Sequence, residues 1–557
     1  MTLFKSKENP VFRSQLAETV FNGKYRHEGA ETWDKLAEVL VEHVVGEKFP
    51  KSVKDAIKGI IRKGLFFPGG RYLYYAGRLK PFFNNCYLLR AEEDSREDWA
   101  DLAWKAESCL LTGGGIGVDY SVYRPSGSII RRTGGSASGP IPKMGGINNQ
   151  GRYIMQGGSR RSAIYASLDW RHADVNEFLT VKDWDNQPAG TSGLTLGDLK
   201  RQDFNFPAPL DMTNISVNYD TSWLLNYYKT GDVGEVFLRN VEMALKNGEP
   251  GFSFNFFDKE KETLRNACTE VTSSDDSDVC NLGSINFSRI SSIGELAEVA
   301  ELATIFLLCG TLVAELPYDK IKSVREKNRR LGLGIMGLHE WLIQRNYNYT
   351  VVPELHQWLS VYKGVSDNAS KYYSDKLSIS VPVANRAIAP TGTIGILAGT
   401  TTGIEPIYAV AYKRRYLTNG TKWKYQYEVD HVAKLLIEHY GTDPNSIETA
   451  ADLASDPERR IKFQADVQDY VDMGISSTIN LPAKSDQMFD AKQFAETLAR
   501  YASRLRGFTC YPDGSRGGQP LVKVDYDEAK TKLGEEFEED GTYNAICDIT
   551  GGGHCGV

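Results

Sequence analysis

Apolar residues recur at helical spacing near the start of the chain: Leu36, Val39, Leu40 and Val44 share one face, as do Val53, Ile57, Ile60 and Ile61. Residues 1–75 therefore read as a polar, helical N-terminal region. From about 80 to 170 short apolar runs are separated by glycine-rich loops: Gly113-Gly-Gly-Ile-Gly117, Arg124-Pro-Ser-Gly-Ser128 and Gly157-Gly-Ser-Arg-Arg161. Loops of this kind let backbone approach a ligand closely. From 210 to 410, β-branched or apolar runs such as Ile215-Ser-Val-Asn218 alternate with helical patterns such as Val233–Ala244. That alternation predicts a largely parallel α/β barrel or sheet. The most apolar stretch, Leu302–Ala314, is 13 residues long between Glu301 and Glu315. It is too short to span a bilayer and predicts a buried helix. Past about 520 the chain turns acidic (Glu535-Glu-Phe-Glu-Glu-Asp540) and ends in Gly551-Gly-Gly-His-Cys-Gly-Val557, which reads as a mobile tail.

Composition narrows the class. With 557 residues, 41% hydrophobic and 25% charged, the chain carries enough apolar surface for a large core. Its net charge of −7 argues against a DNA or RNA binder, so anionic small molecules must meet local positive sites. No apolar export segment follows Met1, and a cytoplasmic protein without a membrane anchor is expected. Eight cysteines stand at 86, 109, 268, 280, 309, 510, 547 and 555. None forms C-x-x-C and no cluster has metal-ligand spacing, so no metal site is read and structural disulfides are not expected. Cys309, inside the apolar helix, reads as a small buried hydrophobe.

Several motifs carry chemistry. Gly332-Leu-Gly-Ile-Met-Gly337 has dinucleotide-fingerprint spacing but follows the charged run Arg325–Arg330 instead of an apolar strand, which favours close helix packing. Asn266-Ala-Cys-Thr-Glu270 is sharper. In an extended segment Asn266, Cys268 and Glu270 share one face and combine a hydrogen bonder, a redox-active sulfur and a proton-accepting carboxylate. Taken alone, that triplet is also an ordinary strand with a buried thiol, and Cys280 has the same plain reading. Ala389-Pro-Thr-Gly-Thr-Ile394 enters a helix as an anion cradle or as a simple turn. Arg124 and Arg131 have the chemistry to meet phosphates, although surface ion pairs are their default.

Taken in order, Asn85-Cys86, the three glycine loops, Asn266-x-Cys-x-Glu270, Cys280-Asn-Leu-Gly-Ser-Ile-Asn286 and Ala389-Pro-Thr-Gly-Thr-Ile394 match one family. From about residue 65 onward the chain resembles the catalytic subunit of ribonucleotide reductases. Through Gly403-Ile-Glu-Pro406 and Arg506-Gly-Phe-Thr-Cys-Tyr-Pro-Asp-Gly-Ser-Arg516 it is most similar to the adenosylcobalamin-dependent, class II, members.

The resemblance implies a ten-stranded α/β barrel over residues 76–520, with Cys268 on a central finger loop. Residues 1–75 would precede it without a full ATP-binding cone, and 521–557 would form a flexible redox tail. As a thiyl radical, Cys268 would abstract the ribose 3′ hydrogen, with Glu270 taking the 3′-hydroxyl proton and Asn266 holding that hydroxyl. Cys86 and Cys280 would supply two electrons and become a disulfide. Asn85, Gly115, Thr391, Gly392, Thr393 and Ile394 would bind a ribonucleoside di- or triphosphate. Asp94, Ser95, Arg124 and Arg131 would hold a deoxynucleoside triphosphate effector, with Arg160 relaying its identity. Cys547 and Cys555 would carry electrons from a thioredoxin-like reductant, making this a ribonucleoside-diphosphate reductase of the thioredoxin-disulfide type. A homodimer and an adenosylcobalamin (cobalt) cofactor are implied as well. One alternative is a class I subunit fed by a small metal-containing radical-generating subunit. Tyr511-Pro512, where class I enzymes carry two adjacent tyrosines, speaks against it. The other alternative is a non-catalytic nucleotide-binding protein of the same fold.

Overall fold

Two sets of five strands, each internally parallel, close into one ring. In this computed structural model the first set is Cys86–Arg90, Gly115–Asp119, Ile164–Asp169, Thr213–Asp220 and Gly251–Asn255, neighbours in that order. These strands are buried along almost their whole length, as parallel strands covered on both faces must be. Helices such as Arg96–Leu111, Pro140–Tyr153 and Glu235–Asn247 make the crossovers. The described residues are all except 1–10, 132–133, 157–159, 192, 204–205, 419–421, 483–486, 488–489, 514–520 and 539–557.

The second set starts with Asp278–Asn286, pairs parallel with Leu331–Met336 and continues through the bridges Leu333↔Arg386 and Ile388↔Ile475. It ends in Thr478–Leu481 parallel to Gly507–Pro512. The halves run in opposite directions and meet at two antiparallel seams. One pairs Cys86 with Cys280; the other pairs Phe252 with Phe508 and Ser253 with Gly507. The expected ten-stranded barrel is therefore present.

Three sequence readings need adjustment. The boundary at 75/76 is crossed, because the apolar run Phe66–Pro68 is a strand paired with Gly283–Ile285 of the barrel. Helices Trp33–Val44 and Lys51–Arg62 form as expected and share the barrel's core through Leu36, Leu40 and Ile57. The region read as a flexible tail is ordered at its start. Leu521–Lys523 and Glu536–Glu538 flank the antiparallel hairpin of strands Ala411–Thr418 and Lys422–Val429, with helix Tyr526–Thr531 between them in sequence. Finally, Gly332 and Gly334 serve strand packing, not helix packing. A Cβ at Gly332 would lie 2.3 Å from Leu282, and one at Gly334 would lie 2.7 Å from the Ala387 carbonyl. The apolar helix runs from Ile293 to Val313, long and apolar enough to cross a membrane, yet Phe306, Leu307 and Cys309 are wholly buried in the core.

Between the halves the chain enters the ring as a short hairpin, the finger, in which Leu264 pairs with Ser273 and Arg265 with Thr272. It crosses Gly117, where a Cβ would stand 1.7 Å from the Arg265 carbonyl oxygen. Any side chain there excludes the finger. Gly117→Ala should therefore cost about 3 kcal/mol in denaturant unfolding, whereas Gly59→Ala, in an open helical position, should stabilise by roughly 0.5–1 kcal/mol. Equal effects of the two substitutions would contradict the threading.

Candidate active site

The finger tip is a turn, not the extended row that its spacing predicts. Thr269 N–H donates to Asn266 O at 2.9 Å, with Thr269 in the left-handed region at φ +67°. Asn266 Oδ1 then accepts from Val271 N–H at 2.9 Å. The turn thus gathers Asn266, Cys268 and Glu270 by folding the chain back. Asn266 and Glu270 are buried, while Cys268 and Thr269 are half-buried at the tip. Two clasps hold it: Asn214 Nδ2 donates to Ala267 O at 3.4 Å, and Gly474 N–H donates to Glu270 O at 2.6 Å. Gly474 must lack a side chain, since its Cβ would lie 2.7 Å from Thr269 O.

Cys86 and Cys280 stand directly opposite each other across the first seam. Opposed residues of an antiparallel pair have Cα atoms about 4.5–5.5 Å apart, within the span of a disulfide, so the pair can oxidise with little backbone movement. Asn266 Nδ2 donates to Cys86 Sγ at 3.1 Å, joining the dithiol to the finger. Cys280 donates to Asn281 O at 3.3 Å. Burial, with Asp278, Glu270 and Cys86 nearby, pushes the Cys280 thiol well above its ordinary value. It remains protonated at neutral pH, as a hydrogen donor requires.

Burial also raises the Glu270 carboxyl to about 7, against the lowering effect of hydrogen bonds from Asn266 and its own backbone. Its Oε2 is buried with no hydrogen-bond partner among the described residues. An acceptor without a donor, on a carboxyl poised near neutrality, suits a general base. Below the tip, Glu262 is desolvated, but Arg506 and Arg330 hold its carboxyl down to about 2. Arg506 Nη2 donates to it at 2.9 Å, and Arg330 also pairs with Asp278 at 2.8 Å.

The other expected residues divide by place. Gly115 lies against the finger, where its Cβ would be 3.4 Å from that of Ala267. Asn85 Oδ1 is buried beside Cys86 with no hydrogen-bond partner among the described residues. Thr391 adopts φ +54° and caps no helix N–H with its side chain. Its Oγ1 accepts from Gly403 N–H at 2.8 Å, leaving Gly392, Thr393 and Ile394 to open the helix Gly392–Ala398. Ala389, just ahead, packs in one buried cluster with Val271 and Cys280, so this cradle adjoins the finger. The far end of the cradle is braced by Thr400, which donates to the buried Glu340, itself paired with Arg13 at 2.7 Å.

Asp94, Ser95 and Arg124 meet beyond the opposite end of the strand that Cys86 begins. Arg124 Nε pairs with the Asp94 carboxylate, Arg124 Nη2 donates to Asp94 O at 3.2 Å, and Ser95 caps helix Arg96–Leu111 through Asp98 N–H at 3.1 Å. Arg131 is exposed in a turn, and Arg160 falls in the short strand Arg160–Arg161. Cys547 and Cys555 lie outside the described residues.

Sequence reasoning missed Gly474, the Glu262–Arg330–Arg506 cluster and Arg265. It noticed Gly117 but read it as a ligand approach, when the approaching group is the chain's own finger.

A buried carboxyl near neutrality, a half-buried thiol on the same finger turn and a buried cross-strand dithiol, inside a ten-stranded barrel, have the chemistry of a thiol-based redox site. A family model described as the ribonucleotide reductase barrel domain matches residues 84–206, 218–355 and 384–505, more than half of the chain, and the chain belongs to that family. Among relatives, a Mycobacterium tuberculosis protein named vitamin B12-dependent ribonucleoside-diphosphate reductase is 28% identical over 83% of this chain and 72% of its own length. A protein of the same name from Thermoplasma acidophilum is 28% identical over 85% of this chain and 66% of its own length. The solved alpha subunit of the Actinobacillus ureae class Id ribonucleotide reductase superposes with TM-score 0.70 at 17% identity, covering 90% of this chain and 97% of that one. At that identity the likeness speaks for the fold. The family reduces ribonucleotides to deoxyribonucleotides, and this chain is an enzyme of that kind.

The raised Glu270 carboxyl has two pH consequences. As a base it must be ionised, so kcat/KM should rise through a limb near pH 7, and Glu270→Gln should remove that limb and lower kcat by roughly 10²–10⁴-fold. As a carboxyl raised above its ordinary 4.5, it favours the fold fully below pH 4.5 and loses that contribution as pH rises through 7. The stability of the parent relative to Glu270→Gln should therefore fall between pH 4.5 and 7 and stay level above. A difference independent of pH would contradict this.

Proposed function

We propose that this chain reduces ribonucleoside diphosphates by thiyl-radical chemistry at Cys268, with Cys86 and Cys280 as the immediate reductant. The carrying observation is the finger tip, where a half-buried thiol shares one turn with a carboxyl whose Oε2 has no hydrogen-bond partner among the described residues, and where Asn266 of the same turn bonds one thiol of a buried cross-strand dithiol. Cys268, as a thiyl, takes the 3′ hydrogen of the ribose while Glu270 Oε2 takes the 3′-hydroxyl proton. The 2′-hydroxyl leaves as water with a proton from the cysteine pair. The second thiol of the pair gives its hydrogen to C2′. The resulting disulfide radical anion passes its electron to the 3′-keto carbon as Glu270 returns its proton to O3′. Cys268 then returns the hydrogen to C3′, leaving Cys86 and Cys280 as a disulfide. Asn266 holds the 3′-hydroxyl, while Asn85, Gly115 and the Thr391–Ile394 cradle hold the nucleotide, its phosphates at the cradle.

Adenosylcobalamin fits as the radical source, because the tip thiol is open on one side while its catalytic neighbours are closed. Alternation along Gly507–Pro512 puts Phe508 and Cys510 in the outer core and turns Gly507, Thr509 and Tyr511 inward. Gly507 lies near Thr269, so Thr269, Thr509 and Tyr511 are the residues that would border the cofactor. When bound, it supplies the one-electron oxidation that makes the Cys268 thiyl. The relatives named as vitamin B12-dependent support this reading over a class I subunit.

A deoxynucleotide effector at Asp94, Ser95, Arg124 and Arg131 with relay through Arg160, a shuttle through Cys547 and Cys555 to a thioredoxin-like donor, a homodimer and a cytoplasmic setting complete the proposal. CDP reduction by the isolated chain with dithiothreitol should require adenosylcobalamin, and Cys268→Ser should lower it to background while leaving the melting temperature unchanged. Turnover without the cofactor would favour another radical source, and turnover by Cys268→Ser would remove the thiyl.

A further inference from the structure

Arg265 directly precedes Asn266 and is 1% exposed. Its guanidinium forms no ion pair among the described residues, although burial and the nearby Arg506 pull it down to about 9. Placing an unpaired cation there is costly, and its surroundings show what the arrangement provides. Nη1 donates to Glu262 O at 2.7 Å and Leu264 O at 3.4 Å, both at the root of the finger. Nη2 donates to Phe254 O at 3.3 Å, Asn255 Oδ1 at 2.6 Å and Arg506 O at 3.1 Å.

Those last acceptors lie at the second seam. Phe252 and Ser253 pair there with Phe508 and Gly507, and Phe254 N–H donates to Arg506 O at 3.0 Å. A single planar fork therefore contacts the finger root and both half-barrels at once. Lysine cannot reproduce this, because its ammonium is a point donor on a flexible stem.

We infer that Arg265 is a positioning residue that ties the finger to the seam between half-barrels and so sets where Cys268 stands. This rests on the reading of Cys268 as the radical-bearing thiol. The proposed phosphate cradle, on residues 391–394, makes no hydrogen bond to Arg265 among the described residues. Loss of the guanidinium should therefore harm chemistry and spare nucleotide binding.

The test compares Arg265→Ala, Arg265→Lys and Arg265→Gln with the parent chain. In Arg265→Ala, kcat should fall ~100-fold, the order expected for a displacement of about 1 Å, with KM changed by less than about threefold. Iodoacetamide labelling of Cys268, followed by peptide mass mapping, should be several-fold faster. Millimolar guanidinium should restore part of kcat and slow the labelling, and Arg265→Lys should stay impaired. Where Arg265→Ala does not fold, Arg265→Gln carries the same kinetic and labelling readouts. Parental kcat, a KM that rises in proportion to the loss of kcat, or unchanged Cys268 labelling would overturn the assignment. So would failure of all three variants to fold, which would make Arg265 a residue of overall stability. A parent chain inactive on nucleotides would sink the proposed function, while the labelling arm would still decide the role of Arg265.

Discussion

The structure turns on one close approach: the backbone of the finger crossing the backbone of a barrel strand at Gly117. A hairpin can pass through a ring of strands only where side chains make room, and the missing Cβ at Gly117 and at Gly474 provides that room on opposite sides. The carbonyls of Arg265, Thr269 and Glu270 occupy the space. With the finger seated, its turn gathers Asn266, Cys268 and Glu270 and brings Asn266 Nδ2 to Cys86 Sγ.

Enclosure then sets the chemistry. The walls that confine the finger also desolvate Glu270 and Cys280, so the first becomes a carboxyl near neutrality and the second a firmly protonated thiol. In the proposed mechanism, opposite demands, a base ready to accept and a dithiol ready to donate, are met by the same loss of water. The antiparallel seam places the two thiols in opposition.

Much of this was legible in the chain. The alternation of apolar runs and helical patterns indicated a largely parallel α/β barrel or sheet, and the resemblance carried by ordered motifs implied the ten-stranded barrel and named Asn266, Cys268, Glu270, Cys86 and Cys280. What periodicity misread was the geometry of the tip. Spacing of two suggests a strand, but the Thr269-to-Asn266 hydrogen bond closes a turn, and Thr269 bears the positive φ. Glycine-rich loops were visible, yet sequence does not tell which object approaches a glycine: at Gly117 it is the protein itself. Arg265 had no signal at all, since a buried guanidinium satisfied by carbonyls reads along the chain like any surface arginine. The ordered strand Leu521–Lys523 was hidden because its partner lies about a hundred residues earlier, at Tyr412–Arg414.

The central claim is that Cys86 and Cys280 deliver the electrons for one reduction, and it can be read directly. The chain is pre-reduced, freed of external reductant, given adenosylcobalamin and a ribonucleoside diphosphate for a single turnover, quenched with an alkylating agent and digested. One deoxynucleotide should form per new disulfide, and mass mapping should recover a peptide linking Cys86 to Cys280. Deoxynucleotide formation with both cysteines still alkylated would contradict the account.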